Sequence, residues 1–205
     1  MSVVGKRRKV VLGPRLAGTL MTPQEFDAVE RYNENYRYEL IHGVLVVSPL
    51  PLPQETSPNE LLGNLLFLFR EQDPRGAVLD CTLPEQYIAT TDSRRRADRV
   101  IWVGLGRLPD LQKDLPTIVV EFVSKAKRDR DRDYIEKRAE YLALGITAYW
   151  IVDRFRRTLT VCRPGAEDLV VPEGETYRPP QLPGFELPLA RLLAAADAWE
   201  RRGTA

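Results

Sequence analysis

Residues 117–124 read Thr117-Ile118-Val119-Val120-Glu121-Phe122-Val123-Ser124. A short, β-branched apolar run of this kind is what an interior strand covered on both faces looks like. A carboxylate set into it is costly unless it is paired or bound to a cation. Working outward, Asp98 opens a second apolar run, Val100-Ile101-Trp102-Val103, and a third, Ala148-Tyr149-Trp150-Ile151-Val152, follows downstream. Between the second and third strand candidates, Tyr134, Ile135, Ala139, Tyr141, Leu142 and Leu144 recur at helical spacing. They predict a helix over about 130–144 that carries Lys137 and ends at Gly145 as its C′ residue. Strands with helices interspersed, without strict alternation, point to an α/β fold: a mixed β-sheet flanked by helices.

Two carboxylates on neighbouring strands with a lysine nearby can hold Mg²⁺ or Mn²⁺ against a phosphate and ready a water for attack. Each residue also has a plainer role open to it. Asp98 follows Arg94-Arg95-Arg96 and can answer an arginine, and Lys137 can pair with Asp133 four residues before it.

Composition narrows the chemistry. The 205 residues are 43% hydrophobic and 29% charged, ordinary for a globular protein, with a net charge of +1. Bulk charge therefore does not mark a polyanion binder, but Lys6, Arg7, Arg8, Lys9 and Arg15 crowd the first fifteen residues without an acid. A single histidine, His42, excludes zinc sites built on several imidazoles and leaves acid–base work to carboxylates, lysines and water. His42-Gly43 sits between apolar runs and reads as a tight hairpin turn. The two cysteines, Cys81 and Cys162, read as reduced core thiols. No apolar stretch is long enough to span a membrane, and a cytoplasmic protein without membrane partners is the expectation.

The chain divides into a basic arm over 1–20 and one domain over 21–205. Thr22-Pro23-Gln24-Glu25 has a capping-box pattern opening a helix to about Arg31. Residues 36–47 predict a hairpin. Pro49, Pro51, Pro53 and Pro58 predict a stiff loop, with a helix from Asn59 ended by Pro74 and Gly76. Ala77–Cys81 and Glu85–Ala89 read as separate short strands, and residues 164–188 as loop. Residues 189–201 predict a closing helix with Leu189, Leu192, Leu193 and Trp199 turned inward.

Several of these pieces together resemble the Uma2 family, restriction-endonuclease-like proteins of the PD-(D/E)XK nuclease superfamily. They are Tyr38-Glu39-Leu40-Ile41-His42-Gly43, Arg96-Ala97-Asp98, Ile118 to Ser124, the order Asp133, Lys137, Tyr141, Gly145, and Ala148 to Asp153. The resemblance implies a restriction-endonuclease-like fold and metal-dependent cleavage of DNA, with Asp98 and Glu121 as ligands of Mg²⁺ or Mn²⁺. The backbone carbonyl of Phe122 would be a further ligand. The superfamily places a lysine two residues after the glutamate, where this chain has Val123; the resemblance assigns the amine to Lys137 on the following helix. Glu39 would be a third carboxylate of the catalytic group, or the partner of an arginine. Three departures stand out: Ala97 where proline is typical, Ser124-Lys125-Ala126 where Ser-Pro-Ser is usual, and no histidine near Pro58.

For nucleic-acid binding the candidates are Arg94, Arg95, Arg96, Lys125, Lys127 and Arg128, with the basic arm. About five such cations on duplex DNA would give a log–log salt slope of roughly −4 to −5. Cutting both strands would use two copies, a homodimer, for which the sequence shows no interface. The rival readings are a nuclease fold that binds or regulates without cutting, an interaction protein whose carboxylates only close core ion pairs, and a different metal-dependent hydrolase.

Overall fold

The structure, a computed structural model, describes residues 10–124 and 132–200. It forms two compact units, one from the residues up to Leu50 together with Tyr87–Arg96, the other from Pro51–Gln86 and the chain from Ala97 onward.

In the first unit, β1 (Val11–Leu12) pairs in parallel with β2 (Arg31–Tyr32), and α1 (Pro23–Asp27) lies between them in sequence. The capping box forms as read: Thr22 Oγ1 accepts from the Glu25 N–H at 3.1 Å, and Glu25 Oε2 accepts from the Thr22 N–H at 2.9 Å. The helix ends four residues short of Arg31 because residues 31–32 are taken into β2. β3 (Tyr36–Ile41) and β4 (Val44–Pro49) form the expected antiparallel hairpin. At its tip His42 and Gly43 have φ of 47° and 75°, the two left-handed residues that a type I′ turn requires. Leu12, Phe26, Tyr38, Leu40 and Leu45 make this unit's core.

The second unit is built on a mixed sheet. In chain order come α2 (Pro53–Gln72), β5 (Leu79–Ala89), β6 (Arg94–Val103), β7 (Ile118–Phe122), a π-helical turn (Arg132–Lys137) running into α3 (Arg138–Ala143), β8 (Ala148–Asp153), β9 (Thr158–Cys162), β10 (Leu169–Pro172), β11 (Thr176–Tyr177), β12 (Leu187–Pro188) and α4 (Leu189–Glu200). Strands run β10-β9-β8-β7-β6, with β5 beside β6; β7 and β8 are parallel and their outer neighbours antiparallel. The parallel pair needs a crossover, which the helical segment ahead of β8 supplies.

Alternation along the strands sorts the two faces. Ile118, Val120, Phe122, Trp150 and Val152 join the main core, with Leu62, Leu66 and Phe69 of α2 and Leu189, Leu192 and Leu193 of α4. The residues between them, Val119, Glu121, Tyr149 and Ile151, therefore turn to the opposite face. There Tyr141 of α3 meets Tyr149 edge-on at 5.2 Å.

Several boundaries differ from the sequence reading. The proline-rich loop is largely helix: α2 starts with Pro53 at its first position, where the missing N–H is not needed, and Pro58 sits inside it. β5 is one strand rather than two, with Glu85 at φ 57° accommodating the bend after Pro84. Residues 164–188 contain β10, β11 and β12 rather than loop alone. Trp199 is 41% exposed, and Ala196 takes the inward position. No helix among the described residues is long and apolar enough to cross a membrane.

Candidate active site

Asp98, Glu121 and Lys137 all belong to the second unit, and the sheet explains how the two carboxylates meet. β6 and β7 pair as Arg99↔Val120 and Val100↔Val119. Carrying that antiparallel register one step further sets Asp98 opposite Glu121, on the face away from the main core. Asp98 Oδ2 accepts from the Phe122 N–H at 2.8 Å, which ties its carboxylate to the strand that carries Glu121. The backbone of Asp98 is held from the other side of the sheet, its carbonyl accepting from Asn59 Nδ2 at 2.8 Å. Asn59 Oδ1 in turn accepts from Arg99 Nε at 2.6 Å, so the buried Arg99 and α2 together fix the middle of β6 around Asp98.

Glu121 is 2% exposed and Lys137 3% exposed. Lys137 Nζ donates to Glu121 Oε1 at 2.9 Å and lies 3.4 Å from Asp133 Oδ1. The Tyr141 hydroxyl donates to the same Glu121 oxygen at 3.2 Å, and the Tyr149 hydroxyl donates to the Asp133 carbonyl at 3.1 Å. The amine arrives from the expected segment, but its first turn is π-helical rather than α-helical, and Asp133 and Lys137 are both buried there. Val123, at the superfamily's usual lysine position, is buried and spends its N–H on the Val152 carbonyl at 2.9 Å.

Burial pushes the Glu121 carboxyl well above the usual carboxylate range; the Lys137 ammonium pulls it back, and the negative charges of Asp98 and Asp133 push it up further. Glu121 and Asp133 face one ammonium and Asp98 adds its charge beside Glu121, an excess of negative charge that a cation would offset. The donors are hard oxygens, which suit Mg²⁺ or Mn²⁺. No cluster of three or more His, Cys, Asp or Glu side chains in metal-holding geometry is present among the described residues. One or two carboxylates, with waters and substrate phosphates, are nonetheless the usual complement of protein-bound Mg²⁺.

Of the remaining expected residues, Glu39 and Arg94–Arg96 belong to the first unit. Glu39, buried in the first unit, accepts from the Arg96 backbone N–H at 3.0 Å. Arg94 is engaged by Asp27 at 2.7 Å, and Arg95 is fully buried, so in this conformation neither offers its guanidinium to a phosphate. Arg96 is half-buried, with its guanidinium over the Tyr87 ring at 5.8 Å from the centroid. Lys125, Lys127 and Arg128 lie outside the described residues. The sequence reading gave no site role to Asn59, Tyr141 or Tyr149. Of these, Tyr141 had a local signal, its place four residues after Lys137.

No curated protein matches the chain. A solved structure described as a "putative nuclease" from Anabaena variabilis ATCC 29413 superposes with a TM-score of 0.67 at 15% identity, over 86% of this chain and 99% of that one. At that identity the likeness speaks for the fold. The family match is by sequence: the profile described as "Putative restriction endonuclease" takes in residues 23–190, from the first turn of α1 to the start of α4 and across the whole Asp98–Lys137 constellation. The chain therefore belongs to the Uma2 family.

Proposed function

We propose that the chain is a metal-dependent endonuclease that hydrolyses phosphodiester bonds of DNA. The observation that carries this is the buried Lys137–Glu121 ion pair with Asp98 opposite Glu121 on the neighbouring strand: an ammonium and two carboxylates on one sheet face. Asp98 and Glu121, with the Phe122 carbonyl, would hold Mg²⁺ or Mn²⁺. When bound, the ion supplies a Lewis acid that polarises a phosphate and makes a water more acidic. Asp98 keeps its orientation through the Phe122 N–H, and Tyr141 holds Glu121 in one rotamer. Lys137 can turn its donors from Glu121 toward a phosphate oxygen and offset charge developing there. Water attacks phosphorus, the phosphorus–oxygen ester bond breaks, and the departing oxygen takes a proton. Cutting both strands would engage two copies of this one-site chain.

The enclosure of Glu121 favours a second reading: Lys137 already neutralises it, and the fold binds nucleic acid without cutting. A cleavage assay separates the two. Supercoiled, single-stranded and branched DNA are incubated with Mg²⁺ or Mn²⁺, running wild type beside Glu121→Ala and Lys137→Met. The endonuclease reading expects cutting that EDTA abolishes and that each substitution lowers by roughly 10²–10³-fold or more. Binding without cutting by a folded wild type on every substrate would establish the second reading.

A further inference from the structure

The first unit contains a cavity of about 510 Å³ that the cleavage chemistry does not use. Five aromatic rings line it: Phe26, Tyr32, Tyr36, Tyr38 and Tyr87. Phe26 meets Tyr87 edge-on at 5.7 Å, and Tyr32 meets Tyr38 at 6.0 Å. Tyr32 is 55% exposed and Tyr87 44% exposed, so two of the rings keep much of their surface open to a ligand. Glu34 and Arg96 also line the cavity. We infer that this cavity binds a single unstacked nucleobase of the nucleic-acid substrate.

The chemistry selects that ligand. Aromatic walls with few aliphatic ones suit a flat π system, because every base offers a face for stacking. The volume exceeds what one base fills and leaves room for its sugar. A carboxylate such as that of Glu34 accepts from an amino group on a base edge, as cytosine N4 offers. Arg96 brings a cation suited to the attached phosphate. It stands two residues before Asp98 in sequence, on the strand that also carries the candidate metal ligand. An aliphatic lipid chain would offer the Glu34 carboxylate no matching donor. The inference rests on the nuclease reading for its choice of ligand, but not on cleavage itself.

Binding is measured by fluorescence anisotropy on the full chain in EDTA, so that no cutting contributes. Labelled single-stranded oligonucleotides either carry all their bases or have one abasic position, stepped along the strand. For wild type, the abasic substitution at the docked position weakens binding by about 5- to 100-fold, the worth of one stacked base. Tyr32→Ala weakens the intact oligonucleotide by a similar factor and loses sensitivity to the abasic position, whereas Tyr32→Phe retains both. Glu34→Gln, an exposed change, narrows the preference for dC over dT at that position. An abasic series that leaves wild-type binding flat overturns the inference, as does a Tyr32→Ala protein that keeps full abasic sensitivity. Absence of any oligonucleotide binding overturns it as well. Cleavage of DNA lost in Glu121→Ala is scored separately, so the nuclease reading can survive a failure of the base pocket, and the pocket can survive loss of cutting.

Discussion

Glu121 and Lys137 hold each other inside the protein, and the balance between them is steep. Removing one partner of a buried ion pair leaves the other without compensation and typically costs about 3–5 kcal/mol. Lys137→Met should therefore lower unfolding free energy by about that much at neutral pH. The pH dependence has a definite sign. Burial and two neighbouring carboxylates already raise the folded-state pKa of Glu121, and only Lys137 opposes them. Without the lysine the folded pKa rises further above the unfolded one. Stability linked to a raised acid is present in full below its unfolded pKa and drains away as pH climbs through the folded value. The deficit of Lys137→Met should thus shrink on going from pH 8 to pH 5 in urea titrations, and a deficit equal at both would mean that Glu121 is not charged in the native protein. The same shift bears on metal. Glu121 must lose its proton to bind a cation, so Mn²⁺ affinity should strengthen with pH through a range above that of an ordinary carboxylate, and calorimetric titrations at pH 5.5 and 8 would show it. At this scale the sequence was informative where a residue type clashed with its surroundings: a glutamate inside an apolar strand announces itself. Tyr141 and Tyr149 gave no such clash, because a tyrosine is at home in a core and only its hydroxyl partner reveals its part.

Elements were legible wherever one period dominated. The three strands around the site lie where their continuous apolar runs put them, and the His42-Gly43 hairpin where its turn chemistry does. Proline misled around residues 53–58. It marks a break in the middle of a helix but not in its first turns, and α2 uses Pro53 as its first residue while Pro58 withholds a single intrahelical N–H. The short pairings β10 to β12 were hidden because two-residue and four-residue strands carry too little alternation to stand out from Pro- and Gly-rich sequence. The seat of Arg99 in α2 was equally invisible. A Cβ on Gly63 would come within 2.7 Å of the Arg99 guanidinium, which is pinned to Asn59 at 2.6 and 3.0 Å. Gly63→Ala would gain roughly 1 kcal/mol of helix propensity. Because the arginine cannot move without releasing Asn59, and with it the hold on Asp98, a net loss of about 1–3 kcal/mol is expected instead. Thermal melts decide it, and a raised Tm would show that Arg99 has another place to go. The π-helical turn is tied to β8 through Tyr149. Tyr149→Phe removes the hydroxyl that donates to the Asp133 carbonyl at 3.1 Å and should cost about 1–2 kcal/mol. If that turn sets the position of Lys137, the variant's DNA cleavage should fall by more than its stability alone explains at a temperature where it remains folded.

For the whole molecule, the expected run of phosphate-tracking cations is redistributed. A net charge of +1 already ruled out attraction of DNA by bulk charge, so any binding must come from local clusters. The structure commits Arg94 to Asp27 and buries Arg95, which reduces what the Arg94–Arg96 cluster can contribute. These losses were not readable from sequence, since three successive arginines on a strand must alternate faces and nothing local says which face is covered. The electrostatic weight then shifts toward the residues near the N-terminus, where Lys6, Arg7, Arg8 and Lys9 supply four positive charges with no acid among the first fifteen residues. Each cation that neutralises a phosphate contributes about 0.9 to the log–log salt slope on duplex DNA. Replacing all four by glutamine should therefore flatten the slope by roughly 3 to 4, with the loss of affinity greatest at low salt and narrowing as the salt concentration rises. Anisotropy titrations of the two proteins across a range of NaCl concentrations give both slopes directly. An unchanged slope would remove the N-terminal residues from the DNA contact and leave Arg96, with Lys125, Lys127 and Arg128, to carry it. A slope flattened by the full amount, with cleavage of short oligonucleotides retained at low salt, would separate capture of DNA from the chemistry at Asp98 and Glu121.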